Sequence, residues 1–487
     1  MKFKNVYQTT FVLLVILFIV SCNSVSNQKT IEGLWERNGY GTLLEITDTE
    51  IKFYDFTKMS CILNTTLKRS EIRRLGKLNL ITNDTLTQTL GITEYSFKRI
   101  NSIPKVLVDT SSNIKKQLFN FDVFWHTLDE NYAFFSERNV DWDSIYKKYR
   151  PEISEETTDK ELYVMLINIT DGLKDEHTTI LAPEVVTESQ EDSIENNLGD
   201  HIEQSNIDMK AVEISILKKY VENPKIFGKD MKGKGLFNWG SINDNVGYLQ
   251  VNNMLFFADY VVPDSLSGYD YLFAYLDQSN SNPLYQEHEV EGASKLMDSI
   301  VDEFQDMEAI ILDVRFNLGG YDVVSMEILS HFVKEKTLVF SKKARMGNGF
   351  TKPQKIYVYP SESIFDKPVF LLTSHQTSSA PESLAMGSMA VPSITRIGSN
   401  TMGILSDILE KKLPNGWDLY LSNEVFQNFK GDVPENIGIA ADIPIDYPDG
   451  EQEFSFELYK DLDYGDKAID IALKKIIESK SETDQLR

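Results

Sequence analysis

The run Ala309-Ile310-Ile311-Leu312-Asp313-Val314 is almost wholly apolar and shows no alternation. It reads as a strand buried on both faces, which requires helices above and below it. Val246-Gly247-Tyr248-Leu249-Gln250-Val251, Lys367-Pro368-Val369-Phe370-Leu371-Leu372 and Ile394-Thr395-Arg396-Ile397-Gly398 supply further strands, and Val323 to Val333 has helical spacing. Strands alternating with helices predict a mixed, mainly parallel sheet with right-handed crossovers. In such sheets reactive groups gather beyond the carboxyl ends of the strands. Two stretches fall there: Gly319-Gly320 after the first run, and Thr377-Ser378-Ser379-Ala380-Pro381-Glu382 after Val369-Phe370-Leu371-Leu372.

Ser379 stands where a strand gives way to a helix. A hydroxyl at that junction lies beside free backbone N–H groups and the positive end of the helix dipole, which stabilise negative charge developing next to it. The same Ser-x-x-Glu spacing is also an ordinary capping box. His177, in Leu173-Lys174-Asp175-Glu176-His177-Thr178, sits on a connection between a helix and a strand, where the alternative is a solvated loop histidine. Gly319-Gly320 is either a close-approach loop or a tight turn. Asp313 and Arg315 read as a structural ion pair.

Ahead of the core, residues 31 to 100 form short alternating runs such as Gly41-Thr42-Leu43-Leu44-Glu45-Ile46, which suggests a small antiparallel barrel or sandwich with no chemistry of its own. The expected role of this domain is a spacer or docking module. From Ile114 to Leu181 the spacing is helical and strongly aromatic. Residues 184–243 are polar and acidic, and Tyr269 to Gln286 is aromatic and turn-rich, fitting an inserted loop or lid. The expected domains are a signal peptide over 1–21, a tether over 22–30, a β domain over 31–105 and a helical subdomain carrying His177 over 106–183. A connector or partial domain follows over 184–244, then the α/β core over 245–475 and a tail over 476–487. The fold class is therefore multidomain, α+β and α/β.

Lys2 and Lys4 precede the short apolar run Phe11 to Val20, and Ser21-Cys22 follows, the pattern of a secretory signal rather than a membrane span. Ile19-Val20-Ser21-Cys22 resembles a bacterial lipobox, which implies cleavage before Cys22 and a lipid on its sulfur. The mature chain would then carry only Cys61, so no internal disulfide is possible, and its partner membrane is reached through the anchor. Placement on the periplasmic face of the outer membrane is expected. The formal net charge of −25 argues against nucleic acid, since a phosphate backbone needs a basic surface.

Four stretches taken in order carry a family likeness: Asp313-Val314-Arg315-Phe316-Asn317-Leu318-Gly319-Gly320, Ser379-Ala380-Pro381-Glu382, Ile397-Gly398-Ser399-Asn400-Thr401-Met402-Gly403, and Glu435-Asn436-Ile437-Gly438-Ile439-Ala440-Ala441-Asp442-Ile443. Together with the His177 segment they resemble the C-terminal-processing (tail-specific) serine peptidase family, in the branch of the tricorn core protease and the interphotoreceptor retinoid-binding proteins. The resemblance implies a ClpP/crotonase-like mixed sheet and a peptide or protein substrate, with no metal or cofactor. It implies Ser379 as nucleophile, His177 as base and Glu435 holding the imidazole. The N–H of Ala380 and that of Gly319 or Gly320 would form the oxyanion hole.

The sequence departs from the family in three places, one of them Gly438-Ile439-Ala440-Ala441-Asp442, which lacks the usual proline before the aspartate and removes no catalytic group. Ile404 stands where the processing branch has a lysine base, which excludes a Ser–Lys dyad, and no clear PDZ segment lies between Leu181 and Gly247. Glu382 ranks below Glu435 as orienting group, and His375 is a rival base without motif support. A catalytically silent or ligand-binding relative is the alternative to an endopeptidase, and oligomeric state is not legible.

Overall fold

The computed structural model describes residues 30–104, 117–154, 156–182, 185 and 209–485. The leader, Cys22, nearly all of the tether, the stretch 186–208 and the last two residues of the tail lie outside the described residues. No described helix is long and apolar enough to cross a membrane.

Seven strands open the fold: β1 (Gly33–Arg37), β2 (Thr42–Ile46), β3 (Glu50–Phe56), β4 (Cys61–Lys68), β5 (Lys77–Thr82), β6 (Thr85–Leu90) and β7 (Thr93–Ile100). They form one antiparallel sheet in the order β4-β3-β2-β1-β7-β6-β5, so the expected barrel or sandwich is an open sheet whose outer strands do not pair with each other. Trp35, Leu44, Ile46, Ile51, Leu86 and Phe97 make its main apolar cluster.

A helical unit follows, with α1 (Gln117–Asn131), α2 (Trp142–Tyr149) and α3 (Asp159–Asp171). Its aromatic residues lock it internally. Trp125 and Trp142 stack with centroids 6.1 Å apart, and each indole N–H donates to the other's carbonyl at 3.1 Å. Thr158 and Glu161 close a capping box at the start of α3, and Gly172 ends it. Strand β8 (Thr179–Leu181) then pairs antiparallel with a strand of the core, which fastens the His177 segment in place.

The core begins earlier than the sequence suggested. Helix α4 (Met209–Tyr220) and strands β9 (Glu222–Phe227) and β10 (Phe237–Ile242), read as connector, extend the main sheet on its antiparallel side. Next come β11 (Val246–Val251), α5 (Gly268–Ser281), α6 (Tyr285–Glu303), β12 (Ala309–Asp313) and α7 (Asp322–Ser330). The expected loop or lid over 269–286 is thus two helices. Tyr271 and Tyr275 are buried one helical turn apart, and the Tyr275 hydroxyl bonds Glu289 on α6, a spacing hidden by the many turn-forming residues around them.

The remaining elements are β13 (Thr337–Met346), β14 (Gly349–Phe350), β15 (Gln354–Val358), β16 (Val369–Thr373), α8 (Ala380–Ser388) and β17 (Ile394–Gly398). After these come β18 (Ile408–Lys412), β19 (Asp418–Ser422), β20 (Glu424–Asn428), β21 (Ile443–Pro444), α9 (Glu451–Asp461) and α10 (Lys467–Gln485). The main sheet runs β21-β17-β16-β12-β11-β10-β9, parallel from β11 to β21. Its two faces are covered as the apolar run demands. Ile310 and Leu312 point into the cluster with α6, α7 and α8, whereas Ala309 and Ile311 point into the cluster with α4, α9 and α10. Each of the isoleucine and leucine side chains contributes roughly 1.5–3 kcal/mol on leaving water. Two smaller sheets flank this one: β14-β13-β15 with β20 added on β13, and β18-β19-β8.

Candidate active site

Three loops meet beyond the carboxyl ends of β12, β16 and β17. The loop after β12 is anchored from below by Arg315, fully buried, whose guanidinium pairs with Asp313 at 2.7 Å and Asp466 at 2.9 Å. The loop after β16 is tied to it: Ser374 Oγ donates to the Arg315 carbonyl at 2.6 Å, Thr377 Oγ1 to that of Val314 at 2.9 Å, and Ser378 Oγ to that of Leu318 at 3.0 Å. Met402 N–H from the third loop donates to the Thr377 carbonyl at 3.0 Å.

These ties hold Ser379 at φ 64°, ψ −125°, a conformation that costs a non-glycine residue roughly 1–3 kcal/mol. An ordinary helix-capping serine sits in the β region instead. Glu382 does accept the Ser379 N–H at 3.2 Å, as in a capping box. Its carboxylate does more than cap, however: it also accepts from Thr401 Oγ1 at 2.6 Å and from the N–H groups of Gly403 at 2.7 Å and Ile404 at 2.8 Å. Burial pushes its pKa up to about 7 against the opposing pull of these donors.

Gly319 and Gly320 adopt φ of 137° and 134°. A Cβ on Gly319 would stand 3.2 Å from Ser379 Cβ, and one on Gly320 would run into the Met254 backbone at 2.3 Å. Only glycine fits either place. The Gly319 N–H is spent on Asn317 Oδ1 at 3.0 Å, and its carbonyl accepts from Met254 N–H at 2.8 Å. The N–H groups of Gly320 and Ala380 have no protein acceptor among the described residues.

His177 is half-buried, and its Nδ1 lies 2.7 Å from the Ser406 carbonyl oxygen. A carbonyl only accepts, so Nδ1 carries the proton and Nε2 keeps its lone pair. The direct contact expected between Glu435 and His177 is absent among the described residues. Glu435 accepts instead from the N–H groups of Leu405 at 3.0 Å and Ser406 at 3.3 Å, and thus grips the backbone on the N-terminal side of the residue whose carbonyl holds the imidazole. Burial, with the Asp175 charge behind it, pushes Glu435 up to about 8. Arg138 Nη2 approaches it at 3.3 Å, and Asp175 also accepts the His177 N–H at 3.1 Å. No hydrogen bond joins His177 to Ser379 among the described residues. They are linked through one loop, since Glu382 grips Ser379 with residues 403 and 404, and Glu435 grips 405 and 406.

His375 lies on the outer side, 3.9 Å from Asp449. Ile404 is buried, with no ionisable group in its place. Sequence reasoning missed Ser406, which acts through its main chain and leaves no side-chain signal, and Arg138, an unremarked cation in the turn after α1. Asp175 was in view, two residues before His177. Among the described residues no group of three or more His, Cys, Asp or Glu side chains is arranged to hold a metal ion.

Residues 245–445 match peptidase family S41, and residues 115–170 match the tricorn protease C1 domain. Among solved structures, a candidate peptidase from Parabacteroides merdae is 21% identical, with a TM-score of 0.50 over 74% of this chain and 96% of that one. That likeness concerns the fold. Mature CPAF complexed with lactacystin is 12% identical, with a TM-score of 0.49 over 75% of this chain and 99% of that one. The photosystem II D1 C-terminal processing protease is 12% identical, with a TM-score of 0.40 over 70% of this chain and 97% of that one.

Proposed function

This chain belongs to the C-terminal-processing serine peptidases of family S41, and from that premise we propose that it is a lipid-anchored endopeptidase of the cell envelope, with Ser379 as nucleophile and His177 as base. In this reading Ser379 Oγ attacks the carbonyl carbon of a peptide bond while His177 Nε2 takes its proton. The oxyanion is received by the N–H groups of Gly320 and Ala380, and the assignment favours Gly320 over Gly319 because the Gly319 N–H already serves Asn317. His177 then returns the proton to the leaving amine. Water, deprotonated by the same imidazole, releases the acyl group and restores the Ser379 hydroxyl.

One observation carries this reading: the bond from His177 Nδ1 to the Ser406 carbonyl, which leaves Nε2 as the proton acceptor. Glu435 is a positioning residue, since it acts through the Leu405–Ser406 backbone. The anchor on Cys22 would place the enzyme on the periplasmic face of the outer membrane, with envelope proteins or peptides as substrates.

A fluorophosphonate probe on the purified protein, followed by peptide mapping, tests the reading. The label is expected on Ser379 and is expected to fade in His177→Ala. A label on another serine, with Ser379 untouched, overturns it.

A further inference from the structure

The N-terminal sheet lies outside both matched peptidase segments, yet it bonds to the strands that support His177. Tyr40, buried in the turn between β1 and β2, donates its hydroxyl to Glu424 Oε1 at the start of β20. The Glu424 main-chain N–H donates to Ser406 Oγ at 3.0 Å. Its other carboxylate oxygen accepts from Lys342 Nζ at 2.9 Å, and the same ammonium donates to Asp407 at 2.6 Å. Ser406 and Asp407 are consecutive, and the Ser406 carbonyl holds His177. A continuous set of bonds therefore runs from a residue of the N-terminal domain to the imidazole.

Neighbouring contacts make the docking firm. Asn423 Nδ2 donates to the Gly39 carbonyl at 3.0 Å, and Lys411 Nζ donates to the Gly41 carbonyl at 2.7 Å and Asp55 at 3.0 Å. Glu424 faces Tyr40, Tyr95 and Arg37 from the N-terminal sheet, Lys342 from β13, Asp407 from the loop and Asp322 from the start of α7. Buried Glu424 and half-exposed Asp407 thus share one ammonium, with Asp322 within electrostatic reach. Burial pushes Glu424 up to about 7, so each donated hydrogen bond matters to whether it stays ionised and keeps Lys342 bridged to Asp407.

We propose that Tyr40 is a positioning residue of the peptidase: through Glu424 the N-terminal domain sets the place of the Ser406 carbonyl and so of His177. This rests on His177 being the base. The domain is then part of the catalytic apparatus, contrary to the spacer or docking role its sequence suggested.

The test uses the full chain and a peptide substrate, with kcat and KM measured separately. Tyr40→Phe keeps the ring and removes only the donor. Its kcat is expected to fall about 10-fold with KM unchanged, within the roughly 10²-fold that a small misplacement of a catalytic group costs. Glu424→Gln should do the same, and the double variant should be no worse than either single one. Tyr54→Phe removes a hydroxyl from the same sheet, one that serves Glu45 within that sheet at 2.8 Å, and should leave kcat intact. Wild-type kcat in Tyr40→Phe, with His177→Ala inactive, overturns the positioning role and leaves the base assignment standing. Additive losses in the double variant overturn it as well. Full turnover in His177→Ala overturns both.

Discussion

The imidazole of His177 is held by a main-chain oxygen, that of Ser406, at 2.7 Å. The third member of this constellation is thus a peptide bond, and Glu435 enters one step behind it through the N–H groups of Leu405 and Ser406. The two ways of arranging a third group make different predictions for substitution.

An amide oxygen still accepts both N–H bonds, so Glu435→Gln should keep most of the turnover. Glu435→Ala leaves the two donors without a partner and should lose about 10–10²-fold in kcat. A direct carboxylate–imidazole pair would instead make Gln nearly as damaging as Ala. Steady-state kinetics of the two variants separates these cases.

His177→Ala should lose roughly 10²–10⁴ in kcat, as removal of a general base does. Ser379→Ala should be about as inactive, and the double variant little worse than either, because residues that act as a unit are not additive. His375→Ala should retain activity, since its partner is Asp449 on the outer side.

The two glycines should fail differently. Gly320→Ala drives a methyl into the Met254 backbone and should cost the fold, read as a lowered Tm. Gly319→Ala meets the Ser379 side chain at 3.2 Å and should cost turnover far more than stability.

Stability should fall as pH rises from about 5 to about 8. Burial pushes Glu382 up to about 7 and Glu435 up to about 8 in the fold, against about 4.3 when unfolded, so the folded chain binds more protons across that window. Their stabilisation is complete below the unfolded value and is lost as pH passes the folded ones. Glu382→Gln should flatten the slope, which denaturant unfolding at several pH values would measure.

Cys22→Ser should release the protein from membranes, checked by fractionation of cells and by sensitivity of the wild type to globomycin. Unchanged partitioning removes the lipid anchor from the proposal.

The α/β core was legible because a run such as Ala309 to Val314 has no polar face to offer water. The same logic hid the helices over 268–303: turn-forming residues crowd that stretch, and the period is carried by Tyr271, Tyr275 and Glu289, whose contacts are tertiary. Strand β9 escaped for another reason. As an edge strand it is exposed along its whole length and shows no apolar pattern. At the site, Ser379, Gly319 and Gly320 announce themselves by residue type, whereas the Ser406 carbonyl could have belonged to any residue.

Arg315 has one further consequence, in the order in which the chain is made. Its buried guanidinium is neutralised by Asp313, two residues away, and by Asp466, which also caps α10 through the N–H groups of Ala468 and Ile469. The Arg315 carbonyl in turn steadies the loop that leads to Ser379. A nascent chain therefore presents His177 and Ser379 well before it presents the second carboxylate that settles the ground beneath the Ser379 loop.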